Sequence, residues 1–265
     1  MSAARASAWT ALLLVSLLVL GCAQAPPNAA QELPTASDQT SAERRARVRL
    51  ELAGAYYSRG QFETALDEVK LSLQASSNLP DAYNLRGLIY AAMGEDRLAD
   101  DNFQRALQMN PRDGSALHNR GWFLCQRDRF AEAQAQFQAA LALPQYRDAV
   151  RTQLARGVCF GRAGQWLEAE GALMRAYEQD PSNPSAGFNL ADVLYRRQEF
   201  DRARFYIGRV NDKAENANPQ TLWLATRIEH KLGKLTTRRQ FGDMLRDRFP
   251  QSAEAGLYAE GRFDD

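Results

Sequence analysis

Five short stretches decide the fold of this chain, and each begins with a small residue and ends with a large apolar or aromatic one. They are Ala53-Gly-Ala-Tyr56, Gly87-Leu-Ile-Tyr90, Gly121-Trp-Phe-Leu124, Gly157-Val-Cys-Phe160 and Ala191-Asp-Val-Leu194, spaced by 34, 34, 36 and 34 residues. A second small residue follows twelve positions later in each case, at Ala65, Ala99, Ala133, Ala169 and Ala203. Two helices approach closely only where small side chains meet, so this period predicts stacked helix pairs.

The spacing resembles the tetratricopeptide repeat (TPR), which has a small residue at position 8, alanine at 20 and proline near 32. The resemblance implies an all-α, right-handed superhelix of about six helix-turn-helix repeats, over residues 43–255. The two extra residues of the one 36-residue spacing fall in the loop Leu143-Pro-Gln-Tyr146. Residues 256–265 are expected to form a frayed tail.

Composition excludes several classes of protein. The 265 residues carry a formal net charge of +1, with 45% hydrophobic and 25% charged residues, as in ordinary soluble domains. A nucleic-acid binder needs a surplus of Lys and Arg, which this chain lacks. Two histidines and three cysteines leave little material for a metal site, and we expect no cofactor.

The first 21 residues have the pattern of an export signal. Arg5 precedes the apolar run Ala11–Leu20, which at about ten residues is too short to span a bilayer. A short buried helix is the alternative interpretation. Val19-Leu20-Gly21-Cys22 resembles the bacterial lipobox, which implies acylation of Cys22 and anchoring in the outer membrane, at its periplasmic face. A soluble periplasmic protein cleaved elsewhere remains the alternative.

Residues 22–42 are interpreted as the lipidated cysteine and a linker rich in Pro, Ala and Ser. Their root-mean-square reach is roughly 25 Å if the linker is flexible. Thr40-Ser41-Ala42-Glu43 has the spacing of a capping box, which predicts that a helix begins here.

The TPR resemblance also implies where a partner binds, because the first helix of each pair lines the concave groove of such proteins. The groove residues it assigns include Leu50, Tyr57, Asn84, Leu88, His118, Trp122, Phe188 and Tyr195. Apolar and aromatic side chains mixed with amides suit a peptide held by apolar anchors. Packing between helices is the alternative for Trp122, a satisfied polar residue for His118, and inter-repeat hydrogen bonds for Asn84, Asn119 and Asn189.

Cys125 and Cys159 fall on neighbouring groove-lining helices of consecutive repeats. In an exported chain whose Cys22 is acylated they form an even pair, so we predict a disulfide between them. Two buried free thiols are the alternative. Catalysis is not expected: His118 and Cys125 lie about 10.5 Å apart along one helix, too far for direct proton transfer. No phosphate-binding glycine loop, HExxH or GxSxG motif occurs.

Four longer runs of sequence make the resemblance specific to one family. Asn119-Arg-Gly-Trp-Phe-Leu-Cys125, Phe188-Asn-Leu-Ala-Asp-Val-Leu-Tyr195, Ala140-Leu-Ala-Leu-Pro-Gln-Tyr146 and Leu245-Arg-Asp-Arg-Phe-Pro250 are similar to the type IV pilus biogenesis family PilW, also called PilF. That resemblance implies a pilotin, a lipoprotein that binds secretin subunits, promotes their multimerisation in the outer membrane, and supports pilus stability and twitching motility. Other pilus-assembly proteins are further expected partners. A TPR lipoprotein that assists outer-membrane protein assembly or cell-wall synthesis is the alternative.

Overall fold

The computed structural model describes residues 40–264, which are helical throughout apart from turns and loops. The signal, Cys22 and most of the linker therefore lie outside the described residues. The helices are α1 Ser41–Ser58, α2 Phe62–Ala75, α3 Pro80–Met93, α4 Asp96–Met109, α5 Gly114–Gln126, α6 Phe130–Leu141, α7 Ala149–Arg162, α8 Trp166–Gln179, α9 Pro184–Arg196, α10 Phe200–Asn211, α11 Pro219–Lys231, α12 Leu235–Arg248 and α13 Ala253–Glu260. None of these helices is long and apolar enough to cross a membrane.

The helices pack as consecutive pairs, and the predicted TPR solenoid is confirmed. The pairs α3/α4, α5/α6, α7/α8, α9/α10 and α11/α12 pack together, and the second helix of each also touches the first helix of the next. First helices of consecutive repeats, from α3 to α11, also contact one another. The first helix α1 begins at Ser41, directly after Thr40, as the capping-box spacing of residues 40–43 predicts.

Each pair depends on the contact that the repeat pattern predicts. A Cβ atom placed on Gly87 or Gly121 would lie 2.8 Å from the ring of Phe103 or Phe137, respectively. On Gly157 it would lie 2.5 Å from Leu173. The alanines twelve positions later are all fully buried. The backbones therefore approach to a distance that only glycine allows at these three positions.

The turn between the two helices of a repeat also repeats its backbone conformation. Gly60, Gly94 and Gly164 have positive φ angles of 73°, 81° and 73° there. Asp128 and Gln198 take the same place with φ of 56° and 62°, in the region that favours glycine. The turn geometry is thus kept even where the sequence does not supply its preferred residue.

Polar side chains on the second helices accept hydrogen bonds from arginines of the next repeat. The Asp100 carboxylate accepts from Arg120 at 2.9 Å and from Arg129 at 2.7 Å. These two bonds hold the pKa of Asp100 below its usual range, although burial opposes them. One repeat later, Gln134 accepts from Arg156 at 3.2 Å. The carboxylate of α4 is largely buried, so the arginines of the next repeat compensate a charge removed from water.

A disulfide joins the third and fourth repeats. The sulfur atoms of Cys125 on α5 and Cys159 on α7, the pair proposed from the sequence, are bonded, with their Cα atoms 5.8 Å apart. Both residues are fully buried beside Phe123 and Phe137. The crosslink closes a sequence separation of 34 residues, for which chain entropy gives a stabilisation of about 3–4 kcal/mol.

The end of the chain differs from expectation, because residues 256–264 are not a frayed tail. Helix α13 packs against α11 and α12, and its Ala255 is buried. The ring of Phe263 then stacks on His230 at 4.5 Å between centroids, and Arg227 donates to the carbonyl oxygen of Phe263 at 3.1 Å. Among residues 40–264 no further repeat follows α12, and these residues cover the apolar side of the last repeat.

We predict that Gly157→Ala destabilises the protein by about 1–3 kcal/mol, because the new methyl group overlaps Leu173 and lies 3.2 Å from the carbonyl oxygen of Ala169. Gly208→Ala on α10 is the matched control. Nothing lies within 4 Å of its added Cβ, so helix propensity should stabilise it by about 0.5–1 kcal/mol. Urea unfolding followed by circular dichroism measures both, and equal stabilisation of the two variants would contradict the close approach.

The disulfide is tested by mass spectrometry on a chain that begins at residue 23 and so contains only Cys125 and Cys159. Alkylation of the denatured, unreduced protein should add no group, and alkylation after reduction should add two. Two labelled thiols without reductant would exclude the crosslink.

Candidate protein-binding face

The first helices α3, α5, α7, α9 and α11, which touch across repeats, form one continuous surface that we call the inner face. Consecutive first helices lie close together on this side of the stack, so their exposed positions form a groove rather than separate patches. In the first repeat α1 supplies the equivalent positions.

The structure places the eight predicted groove residues in two groups. Six are partly exposed on the first helices: Leu50, Tyr57, Asn84, Leu88, Trp122 and Phe188. The other two, His118 and Tyr195, are only 4% and 9% exposed. The first group therefore lies within reach of a partner, and the second does not line an accessible groove.

The N-terminal part of the inner face is apolar and packed. Leu88 and Trp122 lie against the core around Phe103 and Phe123, while Tyr57 packs against Phe62 with ring centroids 5.8 Å apart. These residues therefore contribute both to the core and to the exposed surface. For Trp122, packing between helices is confirmed as one of these two roles.

An amide contact links two repeats on this face. Asn119 donates to the side-chain oxygen of Asn84 at 3.2 Å, as proposed for the recurring asparagines. Asn189 differs, because its amide donates to the backbone oxygen of Ser185 in its own helix at 2.8 Å.

His118 belongs to a buried hydrogen-bond chain between repeats. Its Nδ1 lies 2.8 Å from Thr152 Oγ1, which lies 2.6 Å from the Tyr146 hydroxyl. A neutral imidazole can accept from Thr152, which leaves the Thr152 oxygen to accept from Tyr146. Burial, with a contribution from Arg151, lowers the pKa of His118 to about 4, so the ring is neutral at pH 7. The interpretation of His118 as a satisfied polar residue is confirmed.

Tyr195 is buried by side chains that its repeat position does not reveal. The guanidinium of Arg227 lies 4.7 Å from the centre of the Tyr195 ring, and Phe200 packs on it at 5.5 Å between centroids. The cation covers the face of the ring that would otherwise border the groove.

A cavity of about 390 Å³ opens between α7 and α9, and it was not among the sequence predictions. Its lining combines apolar side chains, among them Val158, Trp166 and Val193, with the charged Arg162 and Arg196. The cavity has room beside Gly161 on α7, because an added Cβ there would lie 3.7 Å from Trp166 and 4.0 Å from Val193. The glycine at position 161 is the sequence signal that could have located it.

A second cavity of about 370 Å³ lies between α9 and α11 and is lined by Phe188, Ser185, Gln220 and Thr221. Asn189 borders both cavities, so they are neighbours along the inner face. One largely apolar recess and one recess with polar and aromatic walls, on either side of an amide, suit the side chains and main-chain polar groups of an extended peptide.

The charged residues of the cavity between α7 and α9 are paired within the protein. Arg196 donates to Asp192 at 2.9 Å and its guanidinium lies 5.2 Å from the Trp166 ring centre, while Arg162 donates to Asp128 at 3.2 Å. Because each of these arginines already has an acidic partner, the cavity favours a partner held by apolar contacts over one recognised by a single sign of charge.

Across residues 40–264, no group of three or more His, Cys, Asp or Glu side chains is placed to hold a metal ion. Cys125 is engaged in the disulfide and His118 is hydrogen-bonded to Thr152. The residues considered as a nucleophile and base are thus both committed to structural contacts.

The buried His118 predicts a pH dependence of stability. Its pKa is lower in the folded protein, about 4, than the ordinary 6.5, so the unfolded chain binds the proton more readily between these values. The contribution of the neutral ring to the free energy of unfolding is fully present above pH 6.5. It should fall by about 3 kcal/mol as the pH drops from 6.5 through 4. Urea unfolding between pH 7 and 4.5 measures it.

His118→Asn is the matched variant, because its side-chain oxygen can still accept from Thr152 but does not titrate. It should lose packing against Phe137 at every pH and show a smaller decline between pH 6.5 and 4.5. The same decline in both proteins would show that His118 is not the group responsible.

Comparison with known proteins agrees with this architecture. Tetratricopeptide repeat family models match residues 80–113, 102–135, 124–184 and 162–223. The type IV pilus assembly protein PilF of Pseudomonas aeruginosa is 24% identical over 205 residues, which are 77% of this chain and 81% of that protein.

Two solved structures are similar over most of the solenoid. The crystal structure of PilW, a widely conserved type IV pilus biogenesis factor, superimposes with a TM-score of 0.73 at 28% identity. The matched region covers 79% of this chain and 96% of the PilW chain. The Pseudomonas aeruginosa pilF structure has a TM-score of 0.73 at 23% identity. The matched region covers 85% of this chain and 100% of the pilF chain. The chain is therefore a tetratricopeptide repeat protein homologous to the PilF and PilW proteins of type IV pilus biogenesis.

Proposed function

We propose that this protein is a pilotin of the type IV pilus machinery, an outer-membrane lipoprotein that binds secretin subunits and promotes their assembly. Its homology to PilF and PilW supports a place in pilus biogenesis. The lipobox-like run ending in Cys22 supports the anchor, and acyl chains on that residue hold the protein at the periplasmic face of the outer membrane. Through the secretin it contributes to pilus stability and twitching motility.

The observation that carries the binding role is the pair of neighbouring cavities on the inner face. The cavity between α7 and α9 offers a largely apolar recess, and the cavity on the other side of Asn189 combines the Phe188 ring with polar side chains. A secretin segment in extended conformation places two side chains in these recesses while its backbone meets the amide. The apolar N-terminal part of the face, with Leu88 and Trp122, extends the same surface.

The mechanism is binding without chemistry. The acyl anchor confines the solenoid to the membrane surface, and a secretin subunit bound to the inner face shares that confinement. The effective concentration of bound subunits rises at the membrane where they insert, which favours ring assembly without any new contact between subunits. Catalytic groups are not required for this role.

The proposal is tested by filling the cavity. Gly161→Leu places a side chain in the recess between α7 and α9, and its Cβ meets only ordinary contacts, 3.7 Å from Trp166 and 4.0 Å from Val193. The variant should fold normally yet reduce secretin multimers in outer-membrane fractions at least tenfold. Gly208→Leu on α10 adds the same side chain where nothing lies within 4 Å and should leave multimers unchanged.

A second variant separates the two halves of the inner face. Leu88→Glu combined with Trp122→Glu should also abolish secretin multimers if the bound segment extends to the N-terminal part. Normal multimers in both this double variant and Gly161→Leu would contradict secretin binding by the inner face. Loss of barrel-assembly or cell-wall functions instead of secretin multimers would favour a different lipoprotein scaffold.

A further inference from the structure

The outward side of α1 exposes residues that later repeats bury. Val48 and Leu52 are 58% and 38% exposed, and Ala55 is exposed beside them. Val48 and Ala55 occupy the third and tenth positions of the first repeat. At the third position of later repeats lie Ala82, Ala116 and Ala186, and at the tenth Ile89, Phe123 and Val193, all of them at most 4% exposed.

This difference follows from the stack. A preceding repeat covers these positions in every later repeat, whereas no helix among residues 40–264 precedes α1. The opposite end of the solenoid is covered by α13 and Phe263. One end of the stack is therefore closed, and the other presents a stripe of Val48, Leu52 and Ala55, which we call the end face.

The end face is bordered by positive charge. Residues 41–60 contain five arginines and two glutamates, and Arg44, Arg45, Arg47 and Arg59 are exposed. At 100° per residue, Arg44 and Arg45 lie on the same side of α1 as Val48 and Leu52. Arg49 instead turns inward and donates to Glu68 at 2.8 Å. A surface that combines apolar side chains with surrounding arginines is complementary to anionic lipid headgroups over acyl chains.

We propose that the end face docks on an anionic phospholipid surface and orients the solenoid at the membrane. The inference rests on the proposed lipidation of Cys22, which lies 18 residues before Thr40. Because a flexible chain of that length has a root-mean-square reach of about 25 Å, an acyl anchor on Cys22 would allow α1 to contact the headgroups. One acyl anchor and one basic patch together bind a membrane more stably than either alone.

A second copy of the chain fits this face less well. Pairing two end faces brings the arginines of one α1 towards those of the other, and like charges repel. A phospholipid surface has no such conflict, since its headgroups supply the opposite charge across the whole stripe.

Vesicle binding tests the proposal without the anchor. A chain beginning at residue 23 lacks Cys22 and retains the whole compact unit from Ala42 onward. In flotation assays it should bind vesicles of phosphatidylcholine with 30% phosphatidylglycerol at least tenfold more tightly than pure phosphatidylcholine vesicles. High salt should remove that preference, because it screens headgroup attraction.

Two variants address the two parts of the end face. Arg44→Glu with Arg45→Glu, and separately Val48→Ser with Leu52→Ser, should each reduce binding to the anionic vesicles at least tenfold. The control, Leu167→Ser with Arg97→Glu, changes an exposed leucine and an exposed arginine elsewhere and should bind as the parent does. Circular dichroism verifies that each variant remains helical.

Equal binding to both vesicle types, no binding to either, or unchanged binding of both end-face variants would overturn the proposal. A dimer in light scattering that Val48→Ser with Leu52→Ser dissociates would assign the face to self-association instead. Because the assay contains no secretin, its outcome is independent of the secretin multimers affected by Gly161→Leu. Failure of lipid docking is thus distinguishable from failure of the pilotin role.

Discussion

The whole molecule depends on the close approach of two helices at a glycine or alanine in each repeat. Where Gly87, Gly121 and Gly157 face Phe103, Phe137 and Leu173, even one added methyl group would overlap the partner side chain. This contact fixes how the two helices of a pair cross. Repetition of the same crossing brings the first helices together on one side and so creates the inner face.

The repeat pattern was sufficient to predict the fold, because the small and large residues that identify it are the ones that make these contacts. It also identified the repeat positions that face inwards. It could not determine which of them stay accessible, since that depends on neighbours distant in sequence. His118 is buried by Thr152 and Tyr146, and Tyr195 by Arg227. The folded C-terminal residues were missed because a lone Phe263 carries no periodic signal.

The cavities show how local composition modifies a regular scaffold. Gly161 on α7 leaves space beside Trp166 and Val193, whereas the preceding repeat has Cys125 of the disulfide at the corresponding position. The inner face is therefore packed in its N-terminal part and recessed in its C-terminal part. One end of the solenoid is covered by the C-terminal residues and the other is bordered by arginines, which is why we propose one surface for a polypeptide and another for a membrane.

The most direct test of the central claim, that the inner face holds a secretin segment, is site-specific photocrosslinking in cells. A photoreactive phenylalanine analogue replaces Phe188 on the inner face or Phe205, which is 55% exposed on α10. If the inner face binds the secretin segment, we expect crosslinks to the secretin subunit from position 188 and none from position 205. Crosslinks to secretin from position 205 alone would contradict it.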